Sequence, residues 1–139
     1  MNTFDLKVLA AEKPFFEGKS LSVTIPTGDG EIGILAYHSN CIYAIVPGML
    51  KIKTENDKEI VAAISQGMVK VENNDVLILV DTCELPEEID INRVKRSQEE
   101  AKEALLQKKS ITDYYQAQLK MTRAISRLRV KNYNNINHK

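Results

Sequence analysis

Cysteine is scarce in this 139-residue chain: Cys41 and Cys83 are the only two, and they form no CxxC. A disulfide framework or a zinc site is not expected; two free thiols in a reducing compartment are. Histidine is as sparse, with only His38 and His138. No cysteine or acid stands at metal-ligand spacing around His38, and no Ser or Cys pairs with it in a recognisable nucleophile setting. It reads as a turn or interface histidine, and neither zinc nor covalent catalysis is expected. The longest stretch without charge, Ile32 to Leu50, is broken by Tyr37-His38-Ser39-Asn40 and by Pro47-Gly48. It does not read as a membrane span, which needs about 20 mostly apolar residues. The opening MNTFDLKV has no basic segment ahead of an apolar core, so no secretory signal is expected.

Net charge is missing too, with 19 basic and 19 acidic residues, but the balance hides a division. Residues 1–84 hold 7 Lys, no Arg and 12 acids, whereas residues 85–139 hold 12 basic and 7 acidic residues and all five Arg. The positive excess follows Ser110, in Lys120, Arg123, Arg127, Arg129, Lys131 and Lys139 against Asp113 alone. One end is therefore expected to meet a different partner from the other. The remaining composition, 43% hydrophobic and 27% charged, is that of a globular protein and argues against disorder, collagen and coiled-coil rods.

The two parts also differ in period. Phe4, Leu6, Val8 and Ala10 alternate with polar residues, as do Leu21, Val23 and Ile25, and then Leu50 and Ile52. Met68 to Val71 alternates as well, and short apolar runs appear at Ile32–Leu35, Ile42–Val46, Ile60–Ile64 and Val76–Val80. Turn residues separate them: Thr27-Gly28-Asp29-Gly30, Pro47-Gly48, Glu55-Asn56-Asp57-Lys58 and Asn73-Asn74-Asp75. Eight or so short strands with no helix between them predict an antiparallel β-sandwich, or a flattened barrel, over residues 1–84.

After Leu85-Pro86-Glu87-Glu88, a polar joint, the period becomes helical. Asp90 reads as the N-cap of a helix starting at Ile91, with Val94, Ala101, Ala104 and Leu105 as a narrow apolar stripe and Lys108-Lys109 at its end. Ser110-Ile111-Thr112-Asp113 resembles a capping box. It opens a second helix with Tyr114, Ala117, Met121, Ala124, Ile125 and Leu128 on one face. The short link predicts an antiparallel two-helix hairpin over residues 85–139, weakly held because its stripes are Ala-rich, with a polar tail from Asn132 that frays.

Two motifs suggest chemistry. Gly28-Asp29-Gly30-Glu31-Ile32-Gly33 fits G-x-G-x-x-G, but a β-branched segment follows where a dinucleotide fold needs a helix. Asp29 and Glu31 would also repel a pyrophosphate, so the motif reads as a hairpin turn. Lys120, Arg123, Arg127 and Lys131, spaced +3, +4 and +4, form one helical strip with no interleaved acid. Spacing alone allows a solvated face or a surface for an acidic partner. Nucleic acid fits less well, because the whole chain is neutral and no aromatic platform interleaves with the cations.

Several segments, taken in order, resemble the epsilon subunit family of bacterial-type rotary (F-type) ATP synthase. Gly30-Glu31-Ile32-Gly33-Ile34-Leu35 followed by His38 is similar to its GELGI-x-x-x-H segment, and Pro47-Gly48-Met49-Leu50 to its PGM turn. Asp81-Thr82 and Ile89-Asp90-Ile91-Asn92-Arg93 resemble its joint into the helices, and Arg127-Leu128-Arg129-Val130 its closing RL-x-V. Ser65-Gln66-Gly67 departs from the family's paired glycine. The resemblance implies a non-catalytic rotor part that requires no cofactor and joins the gamma subunit to the c-ring. It implies a place on the cytoplasmic side of the cell inner membrane, peripheral and attached only through the complex. A hairpin extended toward the alpha/beta catalytic hexamer would restrain ATP hydrolysis. Asp29, Glu31, His38 and the strip Lys120, Arg123, Arg127 and Lys131 are then the partner-binding candidates.

Some members bind regulatory ATP through I/L-D-x-x-R-A and arginines on the second helix. Glu84, Ile89, Asp90, Arg93, Arg123 and Arg127 match that pattern, but Val94 replaces the Ala and Glu100 replaces a basic residue. Weak ATP binding, or none at physiological concentration, is expected. The alternative to a rotor subunit is a free-standing β-sandwich module whose basic helix grips an acidic protein or nucleic acid.

Overall fold

A computed structural model describes the backbone of residues 2–107 and 111–137 and the side chains of residues 2–103 and 115–134. Nine strands are followed by a 3-10 turn and two helices. The strands are β1 (Phe4–Ala10), β2 (Pro14–Thr27), β3 (Gly30–Leu35), β4 (Cys41–Ile45), β5 (Gly48–Thr54), β6 (Glu59–Ile64), β7 (Gly67–Glu72), β8 (Asp75–Val80) and β9 (Cys83–Glu84). The turn spans Pro86–Glu88, and the helices are α1 (Ile91–Gln107) and α2 (Ile111–Asn137).

The strands run in the order β4-β7-β8-β1-β2-β5-β6-β9, with β3 also on β2. The 14-residue β2 joins the two parts of this sheet. Its first half pairs β1, its second half pairs β3 and β5, and the register slips between Ser20 and Ser22. A bulge bends a strand and sharpens its twist, so one chain segment serves both layers of the sandwich. One pairing departs from the antiparallel expectation: β1 runs parallel to β8, Leu6 opposite Val76 and Val8 opposite Ile78. Strands distant in sequence need no hairpin between them, so alternation alone could not give this direction.

The alternating positions supply the core. Phe4, Leu6, Val8, Val23, Ile25, Leu50, Ile52, Val69, Val71 and Ile78 are buried in one cluster. The turns follow their chemistry. Asn73 and Asn74 both take positive φ (49° and 64°) in the two-residue link between β7 and β8, the geometry that favours Asn in such hairpins. In the β2–β3 hairpin, Gly30 has φ 115° and the Thr27 hydroxyl donates to the Gly30 carbonyl at 2.6 Å. Strand β3 follows at once, so the G-x-G-x-x-G segment is a hairpin turn.

Strand β6 carries the hairpin. Ala62 and Ile64 face the sandwich core, while Val61 and Ala63 belong to a second cluster with Ile89, Val94, Ala124 and Val130. An uninterrupted apolar run is what a strand covered on both faces requires. Asp90 caps α1, its Oδ1 accepting from the backbone N–H groups of Asn92 (3.0 Å) and Arg93 (3.2 Å). The capping-box residues and Lys108-Lys109 lie outside the described residues and side chains.

Two expectations for α2 are corrected. The tail expected to fray continues the helix to Asn137, because Tyr133 lies against the second cluster and its hydroxyl donates to Glu59 at 3.2 Å. Ile125, expected on the apolar face, is 37% exposed. The helix is covered from two sides, by α1 and by β5–β6, so its buried positions spread to Ala117, Ala124, Ser126 and Val130.

Candidate functional site

The basic strip of α2 lies along the seam between hairpin and sandwich. Lys120 Nζ reaches Glu100 of α1 at 2.6 Å. Arg123 donates through Nε to Gln66 Oε1 at 3.0 Å, and its Nη2 lies 3.7 Å from Asp81. Arg127 pairs with Glu84 at 2.8 Å, both side chains about three-quarters buried (24% and 28% exposed). Lys131 Nζ donates to the Pro86 carbonyl at 2.9 Å. The strip is thus not a solvated face. The acids its spacing lacks come from the sandwich rim and from α1, and Glu84 and Asp81 stand at the end of the chain's acidic part. Glu100, the residue expected to repel phosphate, is held below the usual carboxylate range by its hydrogen bond and charge contact with Lys120.

A cleft of about 630 Å³ opens beside this seam, between α1, the sandwich rim and the start of the joint. Of the six nucleotide candidates, Glu84, Asp90, Arg93 and Arg127 line it. Ile89 is instead buried in the apolar cluster beneath the hairpin, and Arg123 lies at the β6–β7 turn with Gln66. The lining holds five carboxylates against three cations. Arg127 is already paired, and Asp90 uses its carboxylate on the helix N-terminus. Arg93 makes no ion pair among the described residues. Val94, in place of the motif's Ala, is only 5% exposed and packs with Ala124 and Val130. Cys83 also lines the cleft, its thiol pushed up to about 12 by burial first and by Glu88 and Glu84 next.

Asp29 and Glu31 lie on the β2–β3 hairpin and His38 follows β3, and none of the three lines the cleft. Asp29 and Glu31 are exposed. His38 corrects one expectation: Cys41 Sγ lies 3.7 Å from its Nδ1, which also contacts the Ser39 carbonyl at 2.9 Å. No group of three or more metal-ligating side chains occurs among the described residues. Beyond the His38–Cys41 contact lies an exposed apolar surface. Ala44, Met68 and Leu79 are paired in register across β4, β7 and β8, with Met68 and Leu79 each 39% exposed. Ile42, Leu35 and Tyr37 are more exposed still.

Sequence reasoning missed Gln66, Glu59 and Tyr133 as seam residues. The signal for Gln66 was its substitution of a glycine; none marked the other two. No helix among the described residues is long and apolar enough to cross a membrane.

Comparison with known proteins agrees with this architecture. Residues 3–86 match the family model for the ATP synthase Delta/Epsilon chain β-sandwich domain, and residues 87–132 match that for its long α-helix domain. The ATP synthase epsilon chain of Ruminiclostridium cellulolyticum is 39% identical over 132 residues, covering 95% of this chain and 98% of its own. That of Caldicellulosiruptor saccharolyticus is 40% identical over 130 residues, covering 94% of each. Among solved structures, a chain of the Euglena gracilis mitochondrial ATP synthase shares the fold with a TM-score of 0.74 at 24% identity, over 86% of this chain and 76% of that one. The chain belongs to the ATP synthase delta/epsilon family, and is a non-catalytic subunit of that rotary enzyme rather than a free-standing binding module.

Proposed function

We propose that the chain works as a rotor and regulatory subunit: its sandwich joins the gamma subunit to the c-ring, and its hairpin restrains ATP hydrolysis when it leaves the sandwich. The complex places it peripherally on the cytoplasmic side of the membrane. The seam is the observation that carries this. Every cation of the strip is matched by a group of this same chain, and the apolar contact beneath has only six buried residues, all Val, Ala or Ile, edged by Met49, Leu128 and Tyr133. An acidic surface on the alpha/beta hexamer can take over these contacts: the exposed Lys120–Glu100 pair contributes only about 0–1 kcal/mol, and the better buried Arg127–Glu84 pair is exchanged for another carboxylate partner. The exposed Ala44–Met68–Leu79 row suits a lasting protein contact, and the acidic Asp29–Glu31 tip a second one.

The test is a reconstituted ATP synthase carrying either the full chain or residues 1–85. Loss of the hairpin is expected to raise hydrolysis while proton pumping per ATP is kept. Unchanged hydrolysis would remove the regulatory role, and uncoupled pumping would show that the sandwich alone does not bridge the rotor. Reversing the charges of Lys120, Arg123, Arg127 and Lys131 is expected to weaken inhibition.

Regulatory ATP binds this cleft weakly or not at all. With five carboxylates against three cations the lining is net acidic, which opposes a polyphosphate, and one of its two arginines, Arg127, is committed to Glu84. Calorimetry on the isolated subunit is expected to show no micromolar ATP affinity, and such an affinity would refute this.

A further inference from the structure

We propose that Gln66 is a positioning residue that latches α2 to the sandwich without a nucleotide. This rests on the mobile hairpin proposed above. The turn Ser65-Gln66-Gly67 leads from β6 into β7. Its glycine is irreplaceable on steric grounds, since a Cβ at Gly67 would lie 1.9 Å from the Leu79 carbonyl oxygen and 2.8 Å from Val80 Cα. Position 66 has no such constraint, and its side chain reaches across the seam. Gln66 Oε1 accepts from Arg123 Nε–H at 3.0 Å, and Gln66 Nε2 donates to Asp81 Oδ2 at 3.1 Å. The Asp81 backbone N–H in turn donates to the Gln66 carbonyl at 3.4 Å. Only this orientation of the amide satisfies both neighbours, because the opposite one would set a donor against the guanidinium and an acceptor against the carboxylate.

A glycine at position 66 would leave Arg123 with the 3.7 Å approach to Asp81, whose side chain is 59% exposed. A loose, solvated pair of that kind contributes little and is screened by salt. The neutral amide changes this. It gives the guanidinium a directional acceptor, and it holds the Asp81 carboxylate beside it without adding charge. Arg123 is thereby drawn to the β6–β7 turn, away from the cleft where a phosphate would sit. Closure of the hairpin then depends on a group within the chain and does not wait for ATP.

Native-state hydrogen exchange of the full-length chain tests this, read by mass spectrometry on α2 residues 117–130, with and without millimolar Mg-ATP. Q66A is expected to speed α2 exchange by about three- to tenfold, the effect of losing one charge-assisted hydrogen bond at a partly exposed site. Amides of the sandwich core should be unaffected. R123A should act similarly, and the Q66A/R123A double variant should be no faster than the faster single one, since both remove the same contact. Mg-ATP should change wild-type exchange by less than about twofold. The latch is overturned if Q66A leaves α2 unchanged, if the two substitutions multiply, or if wild-type protection needs ATP. Multiplication would mean that Gln66 shapes its own turn rather than gripping Arg123. If wild-type α2 exchanges only together with the sandwich core, the hairpin does not undock and both ideas fall. If it opens alone yet ignores Gln66, the latch alone falls.

Discussion

Val130→Ala is the substitution that most directly measures how the hairpin is held. Val130 is fully buried, on α2, in the cluster with Val61, Ala63, Ile89, Val94 and Ala124. Removing two methyl-sized groups loses about 1.6 kcal/mol of transfer energy, and the cavity left behind brings the total to about 2 kcal/mol. That is about a 30-fold rise in the undocked fraction. Trypsin reads it, because Arg123, Arg127 and Lys131 are engaged along the docked seam. When opening is fast relative to cleavage, the cutting rate follows the open population. Cleavage in α2 should accelerate about 30-fold while thermal unfolding of the sandwich stays in place. Val69→Ala, the same chemical change inside the sandwich core, should do the reverse. If Val130→Ala lowers sandwich unfolding as much as Val69→Ala, hairpin and sandwich form one cooperative unit, and a separately undocking arm is wrong.

Ser126 is 6% exposed and its hydroxyl has no hydrogen-bond partner among the described residues. Ser126→Ala should therefore tighten docking by about 1 kcal/mol and slow α2 cleavage about fivefold. Arg127→Gln, which breaks the pair with Glu84, should loosen docking by about 1–2 kcal/mol, whereas Lys120→Ala at a more exposed pair should leave the cleavage rate within error. Gly67→Ala should destabilise the sandwich by about 3 kcal/mol or more in thermal melts, because the added carbon meets backbone. Cys83, raised in the folded state to about 12 from an ordinary 9.0, stays protonated where the unfolded thiol ionises. Its contribution is complete below about pH 9 and is lost as pH rises toward 12, so Cys83→Ser should flatten the alkaline end of the stability profile.

The parts of the fold that sequence made legible are those governed by local chemistry. Alternation at Phe4-Leu6-Val8 and at Val23-Ile25 gave the strands their inward faces, and Asn73-Asn74 and Gly30 gave turns that their positive φ angles require. Asp90 was readable as a cap because capping needs only neighbouring N–H groups. The parallel β1–β8 pair was not readable, since nothing local records which way a distant strand runs. The site divided along the same line. The strip's spacing was legible, but its partners Asp81, Glu84 and Glu100 are 20 to 43 residues away, and only the folded chain brings them to it. Tyr133 was assigned to a fraying tail because its neighbours are polar. Its anchors, Glu59 and Lys51, whose Nζ lies 5.0 Å from the ring centre, come from the sandwich.

The contrast between the two apolar clusters explains why an arm of this kind can move while its base stays rigid. The sandwich core buries Phe4, Leu6, Leu50 and six Ile, which bury much area per residue, together with six Val. The hairpin cluster uses Val and Ala for five of its six buried positions, with Met49, Leu128 and Tyr133 partly buried against it, and the Ser126 hydroxyl of α2 has no hydrogen-bond partner among the described residues. Each choice lowers the energy of docking by a small amount without disturbing the strands beneath. The polar seam then fixes where the hairpin lands, because Arg127 must meet Glu84 and Arg123 must meet Gln66. Position is set by hydrogen bonds, and strength is kept low by small side chains. A Leu-rich cluster would hold the arm more tightly, but the strip would then be unavailable to any second surface.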